Sequence, residues 1–504
     1  MSGSFDASRE DLIVGVIGAG AMGQGIVQVS LQGGMRVVLF DAKEGGAKAG
    51  ADLVAQRLDR SAERGRLEPD AVAEMKTRLT VVDDLSGFAP CHAVVEAVFE
   101  DLDIKHAVYT ELEKHVAPDC IIASNTSSLP ISSLGRPCEH QNRFAGFHFF
   151  NPVPLMRLVE VIRGSSTEDW VVEGLVKLGE RMGRTPVVVR DHPGFLVNTG
   201  GRAFTTEALH ILHEGVAVQA QVDAVMRDCA HFRMGPFELM DLTGVDVNYP
   251  ASLIIHEQNS YDPRIRTVPF HKSLHDAGRF GRKTGHGNYR YDEAGKMIDP
   301  PSPDHLTDAA PAERVFVSEG AEIFADLLAG TAMTEIDEGE SPIVAALYGE
   351  DCSTFAARRS LDHTRLVAID PTGDLSKRAT IMTPPGADPA ARDAVAARLN
   401  ANGRAVVAIK DSPGFIAQRM RAMIGNLGCE MAQIQLATPD DIDLAMRLGL
   451  NYPLGPLEII DDFGTALAYR IMSTMQEITG DDRYRPSPWL RRRALLGLGA
   501  KVPS

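Results

Sequence analysis

Short apolar runs alternate with amphipathic, helix-length segments over the first 190 residues of the chain. The runs long enough for strands are Leu12–Ile17, Arg36–Phe40, Ala93–Val98, Cys120–Ser124, Arg143–His148, Leu158–Ile162 and Pro186–Arg190. Helix-period segments fall between the early ones. This alternation predicts an α/β fold with a doubly wound, Rossmann-type sheet over residues 1–190. After Asp191 the period becomes helical as far as about residue 275, interrupted at GPFELMDLTG, which predicts an all-α domain over residues 191–300. Residues 301–362 carry clusters of Pro, Asp and Glu and read as a linker.

The chain then repeats itself. Gly183-Arg184, Asp191, Pro193-Gly194-Phe195 recur as Gly403-Arg404, Asp411, Pro413-Gly414-Phe415, an offset of 220 residues. The register holds through Asp223 and Asp443, Gly235-Pro236 and Gly455-Pro456, Asp241 and Asp461, and Gly244 and Gly464. Chance does not keep such a register, so the chain contains an internal duplication. RLVEVIRGSS lies over KRATIMTPPG at the same offset, so the second copy includes the end of a sheet. We expect a degenerate partial α/β segment at residues 363–410 and a second, structural helical domain at 411–504.

The turn after the first run reads GVIGAGAMGQG. Gly18, Gly20 and Gly23 stand between a strand and a helix, and the next strand ends in Asp41. That is the context a dinucleotide fingerprint requires. Gly18 permits the tight turn, Gly20 lets backbone approach a pyrophosphate, and Gly23 lets the helix pack close. The first free N–H groups of the helix point at the phosphates. A carboxylate at Asp41 accepts the adenosine ribose hydroxyls and repels a 2′-phosphate, which selects NAD over NADP.

A net charge of −17 argues against a nucleic-acid partner. No apolar run reaches membrane-spanning length, so no membrane partner is expected. The six cysteines are scattered with no C-x-x-C pair, and the first residues are polar and acidic. We expect a cytoplasmic protein without a metal site; the pair His210 and His213 does not form H-E-x-x-H.

Three segments put polar groups where apolar ones would be cheaper. SNTSSL places Asn125 and Ser127 at the carboxyl end of a strand, the edge where open α/β sheets bind ligands. FHFFNPVP ends a strand at His148, and LVEVI buries Glu160, whose charge requires a partner. His148, twelve residues earlier across a proline-rich turn, is the natural one. A carboxylate that orients an imidazole makes a general base, which a dehydrogenase needs for the alcohol proton. Ser127 can bond the same oxygen, and Asn198 in PGFLVN can reach it from the helical domain. At the 220-residue offset the second copy has Thr380 for Glu160 and Gln418 for Asn198, with Val367 or Ala368 near the place of His148. One copy is therefore expected to be active and the other structural. The Asp191 motif is kept in both copies and reads as the capping residue of a helix start.

GVIGAGAMGQGI, VVEAVFEDLDIK, SNTSSLPI, FAGFHFFNPVPLMRLVEVI, DHPGFLVN, MGPFELMDLTGVD and FGRKTGHGNYRY occur in this order over about residues 12–292. In these stretches the sequence resembles the 3-hydroxyacyl-CoA dehydrogenases, and residues 365 to about 475 resemble the second helical repeat of their longer forms. The resemblance implies reversible oxidation of an L-3-hydroxyacyl-CoA to the 3-oxoacyl-CoA with NAD. It implies His148 as base, Glu160 as its partner, and Ser127 and Asn198 on the reacting oxygen. On the cofactor side it implies Gly18, Gly20, Met22, Gly23, Asp41, Glu100, Lys105 and Asn125. The basic stretch RLDRSAERGR matches the place where the family meets CoA phosphates, with Arg60 and Arg64 one turn apart. It further implies closure of the helical domain over the substrate, and a homodimer or an intramolecular pseudo-dimer through the second helical copy. The acyl group is left open between 3-hydroxybutyryl and 3-hydroxyadipyl. The alternatives are a non-catalytic NAD-binding protein on the same fold and a β-hydroxyacid dehydrogenase. The second would place a catalytic lysine after the sheet, where this chain has Asn198.

Overall fold

The computed structural model describes residues 4–318 and 320–503. They fold as two compact units, Met1–Thr199 with Ile434–Leu450, and Gly200–Gln433 with Asn451–Ser504.

The first unit is built on eight strands: β1 (Ile13–Ile17), β2 (Arg36–Phe40), β3 (Leu79–Val81), β4 (Ala93–Glu96), β5 (Ile121–Ser124), β6 (Phe144–Phe149), β7 (Leu158–Arg163) and β8 (Thr185–Arg190). Their order is β3-β2-β1-β4-β5-β6-β7-β8. All pairs are parallel except β6 with β7. The strands are apolar nearly throughout because helices cover the sheet, and Val16, Leu39, Val95, Ile121 and Val161 meet in one core. The expected strands appear within one or two residues of their predicted ends. β3 was not expected, since three residues after a charged helix end carry too little pattern.

The turn after β1 has the predicted form. Gly18 has φ +102°, where a side chain is strained, and a Cβ on Gly23 would lie 1.8 Å from the Gly18 carbonyl oxygen. The helix Ala21–Gln32 starts directly after Gly20.

One segment of the second copy completes this unit. The helix Pro439–Leu450 packs on β7 and β8, and the Arg190 N–H donates to the Leu436 carbonyl at 2.9 Å.

The second unit carries another sheet: β9 (Arg314–Val317), β10 (Ala332–Thr334), β11 (Ile343–Ala346), β12 (Leu366–Ile369), β13 (Arg378–Thr383) and β14 (Ala405–Lys410), in the order β10-β9-β11-β12-β13-β14. Three of these strands lie in residues 301–362, which corrects the reading of that stretch as a linker. Each is only three or four residues long, so the flanking Pro, Asp and Glu dominate the local pattern. Val315, Val317, Val344 and Val367 nevertheless share one buried core.

Both helical copies also lie here. The helix Arg202–His213 packs on Ala417–Gln433. Buried Arg419 pairs with buried Glu207 at 2.7 Å, and Arg264 pairs with Glu430 at 2.9 Å. The helix Gln219–Asp228 of the first copy packs on β13, and the Lys410 N–H donates to the Val216 carbonyl at 3.1 Å. That bond is the 220-residue counterpart of Arg190 to Leu436. Each copy thus lends a helix to the other copy's sheet. GPFELMDLTG, expected to interrupt the helical pattern, holds the helix Pro236–Thr243 with proline in its first turn. Among the described residues no helix is long and apolar enough to cross a membrane.

Candidate active site

The carboxyl edge of the first sheet gathers the chemical residues. The β6–β7 pairing sets His148 directly opposite Glu160, and residues opposite each other in an antiparallel pair point to the same face. His148 Nδ1 lies 2.6 Å from Glu160 Oε2, with His148 4% and Glu160 1% exposed. The second carboxylate oxygen, Oε1, accepts the N–H groups of Leu196 at 3.1 Å and Val197 at 2.9 Å. Three donors answer this buried charge, which is what its burial requires. With Nδ1 donating to the carboxylate, Nε2 carries the lone pair. Nε2 lies 3.1 Å from Ser127 Oγ, and Ser127 is exposed. The rings of Phe150 and Phe195 lie 4.6 and 5.9 Å from the imidazole centre and wall it from water.

Asn198 donates from Nδ2 to the Ser127 carbonyl at 3.3 Å. It lies in the same compact unit as the sheet.

The loop that carries Ser127 is held from below. Glu100 Oε1 accepts the N–H groups of Ser127 and Ser128 at 3.1 and 3.2 Å, and the hydroxyls of Thr126 and Ser128. Burial opposes its charge, but these bonds and the Lys105 ammonium outweigh it and keep the carboxyl below the usual range. Lys105 is 1% exposed and bridges Glu96 at 2.7 Å and Glu100 at 3.3 Å. Its charge is enclosed by two carboxylates and reaches the loop through Glu100. Glu96, fully buried, also accepts the hydroxyls of Tyr109 and Ser124. Asn125 Oδ1 accepts the Phe149 N–H at 2.8 Å and fixes the loop against β6. Glu96, Tyr109 and Ser124 escaped the sequence reading, although VVEAVFEDLDIK contains the first. A carboxylate closing an apolar strand was the available signal.

Asp191 does not cap its own helix, as its motif suggested. Its carboxylate accepts the N–H groups of Ile131 and Ser132 at 2.9 and 2.7 Å and the Ser132 hydroxyl. It ties down the short helix after the Ser127 loop, about sixty residues earlier in the chain. Asp411 does the same for Cys352 and Ser353, which explains why both copies keep the motif.

The dinucleotide edge fits NAD. A Cβ on Gly20 would meet nothing within 4 Å, so the backbone there is open to an approaching phosphate. Asp41, at the end of β2, accepts the N–H groups of Ala19 at 2.7 Å and Lys43 at 2.8 Å and stands half-exposed beside the turn. Met22 is half-buried in the first turn of the helix. Next to this helix lies a cavity of about 340 Å³ lined by Arg57, Arg60, Arg64 and Arg66 together with the Asn151–Leu155 loop. It brings together the two expected arginines and two that were not singled out.

A family model for the NAD-binding domain of 3-hydroxyacyl-CoA dehydrogenases matches residues 13–192, and one for their C-terminal domain matches 194–291 and 414–503. The chain belongs to the 3-hydroxyacyl-CoA dehydrogenase family. It is an NAD-dependent oxidoreductase with a Rossmann-type domain followed by a helical one. It is 34% identical over 96% of its length, and 98% of the relative's, to a protein from Escherichia coli K12 named 3-hydroxyadipyl-CoA dehydrogenase. It is 39% identical over 55% of its length, and 99% of the relative's, to a probable 3-hydroxybutyryl-CoA dehydrogenase of Deinococcus radiodurans. Among solved structures, one titled 3-hydroxybutyryl-CoA dehydrogenase from Escherichia coli K12 superposes with a TM-score of 0.85. It covers 97% of this chain and 99% of its own, at 32% identity.

The two copies can now be compared by strand register. In the second sheet Ala368 faces Met382 and Ile369 faces Ile381, as Gly146 faces Ile162 and Phe147 faces Val161 in the first. The next position after Ile369 is Asp370, whose N–H donates to the Thr380 carbonyl. Asp370, not Val367 or Ala368, therefore stands in the place of His148; a two-residue shift between the copies hid this from simple counting. Gln418, fully buried, bonds Gly349, Leu347 and Asp370. The second copy fills the corresponding place with a buried polar network centred on Gln418.

Proposed function

We propose that this dehydrogenase oxidises an L-3-hydroxyacyl-CoA of short chain, with 3-hydroxyadipyl-CoA as the favoured substrate, to the 3-oxoacyl-CoA. The observation that carries the mechanism is the chain from Ser127 Oγ through His148 to Glu160, at 3.1 and 2.6 Å. NAD, when bound, supplies the hydride acceptor. The substrate hydroxyl bonds Ser127 Oγ and His148 Nε2. As the hydride leaves carbon, Nε2 takes the hydroxyl proton and the imidazole becomes cationic. Glu160 stabilises that cation inside a site walled by Phe150 and Phe195, where charge interactions are strong. In the reverse direction the imidazolium returns the proton to the carbonyl oxygen. Asn198 holds the Ser127 backbone and positions the hydroxyl.

The CoA phosphates are assigned to Arg60 and Arg64, with Arg57 and Arg66 beside them. Arg57 already donates to Gln24 at 2.9 Å, so the other three carry more of the charge toward solvent. These arginines also suit the negative end of the helix Gly46–Glu63, which by itself would need no ligand. Four of them around one cavity go beyond that need.

The adipyl reading rests on the relative that matches both copies, which bears that name. We assign the functional state as an intramolecular pseudo-dimer. Its support is the Arg419–Glu207 and Arg264–Glu430 pairs between helical copies. We assign the compartment as the cytoplasm, on six buried cysteines with no disulfide between them.

The test is NADH oxidation with acetoacetyl-CoA and 3-oxoadipyl-CoA side by side, with NADPH as control. Turnover with NADH and a kcat/KM ratio in favour of 3-oxoadipyl-CoA is expected. A ratio in favour of acetoacetyl-CoA would overturn the adipyl assignment, and no turnover with either would overturn the mechanism.

A further inference from the structure

The pair Gly183-Arg184 recurs as Gly403-Arg404, and the reaction has no use for either pair. Gly183, at φ +69°, and Gly403, at φ +79°, follow the helices Asp169–Arg181 and Pro389–Ala401 in the left-handed conformation that glycine accepts. That accounts for the glycines and leaves the arginines.

In the second copy Arg404 donates to the Asn402 carbonyl, two residues back, and its Nε is buried without a hydrogen-bond partner. Arg184 makes the matching bond, from Nε to the Met182 carbonyl at 3.1 Å. It also reaches across to the chain between β6 and β7. Its Nη1 donates to the Val153 carbonyl at 2.9 Å and to the Met156 carbonyl at 2.7 Å. Nη1 carries two hydrogens, and these bonds use both. Among the described residues the second copy has no counterpart of this clamp.

The chain that Arg184 holds forms one wall of the arginine cavity, through Asn151–Leu155. Its two ends are fixed by other bonds. The Phe149 N–H donates to Asn125, and the Thr185 N–H donates to the Arg157 carbonyl at 2.6 Å. Between the ends the chain turns on itself, with the N–H groups of Leu155 and Met156 on the Pro152 carbonyl at 2.9 and 3.0 Å. On one side of this turn, buried Val153 packs on the helix Ala21–Gln32, so closely that a Cβ on Gly25 would lie 2.6 Å from the Val153 Cβ. Arg184 holds the other side. It stands behind the loop, outside the lining of the cavity.

We propose that Arg184 is a positioning residue for coenzyme A: it fixes the Asn151–Leu155 wall opposite Arg60 and Arg64 before the phosphates arrive. This rests on the assignment of the CoA phosphates to that cavity. A wall held in place beforehand need not be ordered by the ligand, and that ordering would otherwise weaken binding. His148 and Phe149 are fixed by their pairing with β7 and by Asn125. The effect therefore falls on KM and not on kcat.

Arg184→Met removes the donors and is compared with Arg404→Met, its counterpart in the second copy. Kinetics with acetoacetyl-CoA and with acetoacetyl-pantetheine, which lacks the nucleotide phosphates, are read beside hydrogen exchange of the peptide covering residues 150–157. In Arg184→Met that peptide is expected to exchange faster, and KM for acetoacetyl-CoA to rise about tenfold. The kcat, NADH affinity and KM for acetoacetyl-pantetheine are expected to stay at native values. Arg404→Met is expected to match the native protein in both measurements. If Arg184→Met does not fold, Gly25→Ala presses on the same loop through Val153, and the same split between the two substrates is expected. Unchanged exchange overturns the inference, as does an unchanged KM for acetoacetyl-CoA or an equal rise for both substrates. Arg60→Glu/Arg64→Glu is measured in parallel. A rise in its KM for acetoacetyl-CoA with none in Arg184→Met overturns the positioning role alone, whereas no rise in the arginine pair variant overturns the CoA assignment and this inference with it.

Discussion

Glu160→Gln is the sharpest test of the catalytic geometry, because the structure fixes which way the new amide must face. Glu160 Oε1 accepts two backbone N–H groups, from Leu196 and Val197. The glutamine carbonyl must take that place, since an NH2 group there would oppose two donors. The NH2 group then faces His148 Nδ1, where the carboxylate oxygen stood at 2.6 Å. The imidazole has to accept at Nδ1 and carry its proton on Nε2, the tautomer that cannot take a proton from the substrate hydroxyl. The lost charge adds to this. At about 4 Å between charge centres and an effective dielectric of about 20, the carboxylate stabilises the imidazolium by about 4 kcal/mol. That corresponds to about a thousandfold in rate, and the tautomer effect extends the expected loss in kcat toward about 10⁴. The assay is NADH-dependent reduction of acetoacetyl-CoA, with NADH affinity measured by fluorescence. NADH binding is expected to be unchanged. A folded variant that binds NADH normally and loses less than about tenfold in kcat would refute the dyad.

Three further outcomes are expected. Gln418→Ala leaves kcat near the native value but lowers the urea midpoint, since it strips partners from Gly349, Leu347 and Asp370 at a cost of about 2–3 kcal/mol; a collapse of kcat in folded protein would contradict the one-active-copy reading. Arg60→Glu/Arg64→Glu raises KM for acetoacetyl-CoA about tenfold or more with kcat little changed, and leaves KM for acetoacetyl-pantetheine, which lacks the nucleotide phosphates, as it was; an equal effect on both substrates would remove these arginines from CoA recognition. Asp370 is raised by burial from 3.8 to about 6. Its folded form therefore holds a proton that the unfolded form has released between these values, and stability rises as pH falls through that window. Asp370→Asn removes the cost of the buried charge, so its stability gain over the native protein is expected to be about 1.4 kcal/mol larger at pH 8 than at pH 5; urea midpoints that differ equally at both pH values would refute the burial argument.

Much of the site was legible because its determinants are local in sequence. A glycine turn between a strand and a helix states its backbone conformation in its own residues. A carboxylate inside an apolar strand announces that it needs a partner, and twelve residues with a turn between them leave His148 as the natural one. The roles of Asp191, Lys105 and Asp370 were not legible in this way. Asp191 caps a helix about sixty residues back, Lys105 is enclosed by two carboxylates that the sequence reading did not connect, and Asp370 replaces His148 through a two-residue shift in register. Each depends on which strand lies beside which.

The sequence by itself determined that this is a duplicated, NAD-binding chain, because glycine turns, apolar strand runs and the 220-residue register are properties of order along the chain. Tertiary structure alone decided that residues 301–362 supply three strands of a second sheet. It also decided that each copy lends a helix to the other's sheet and that Arg184 holds the loop between β6 and β7. Strands of three or four residues have too little pattern to be recognised alone. They are stabilised by neighbours that only the folded chain brings to them.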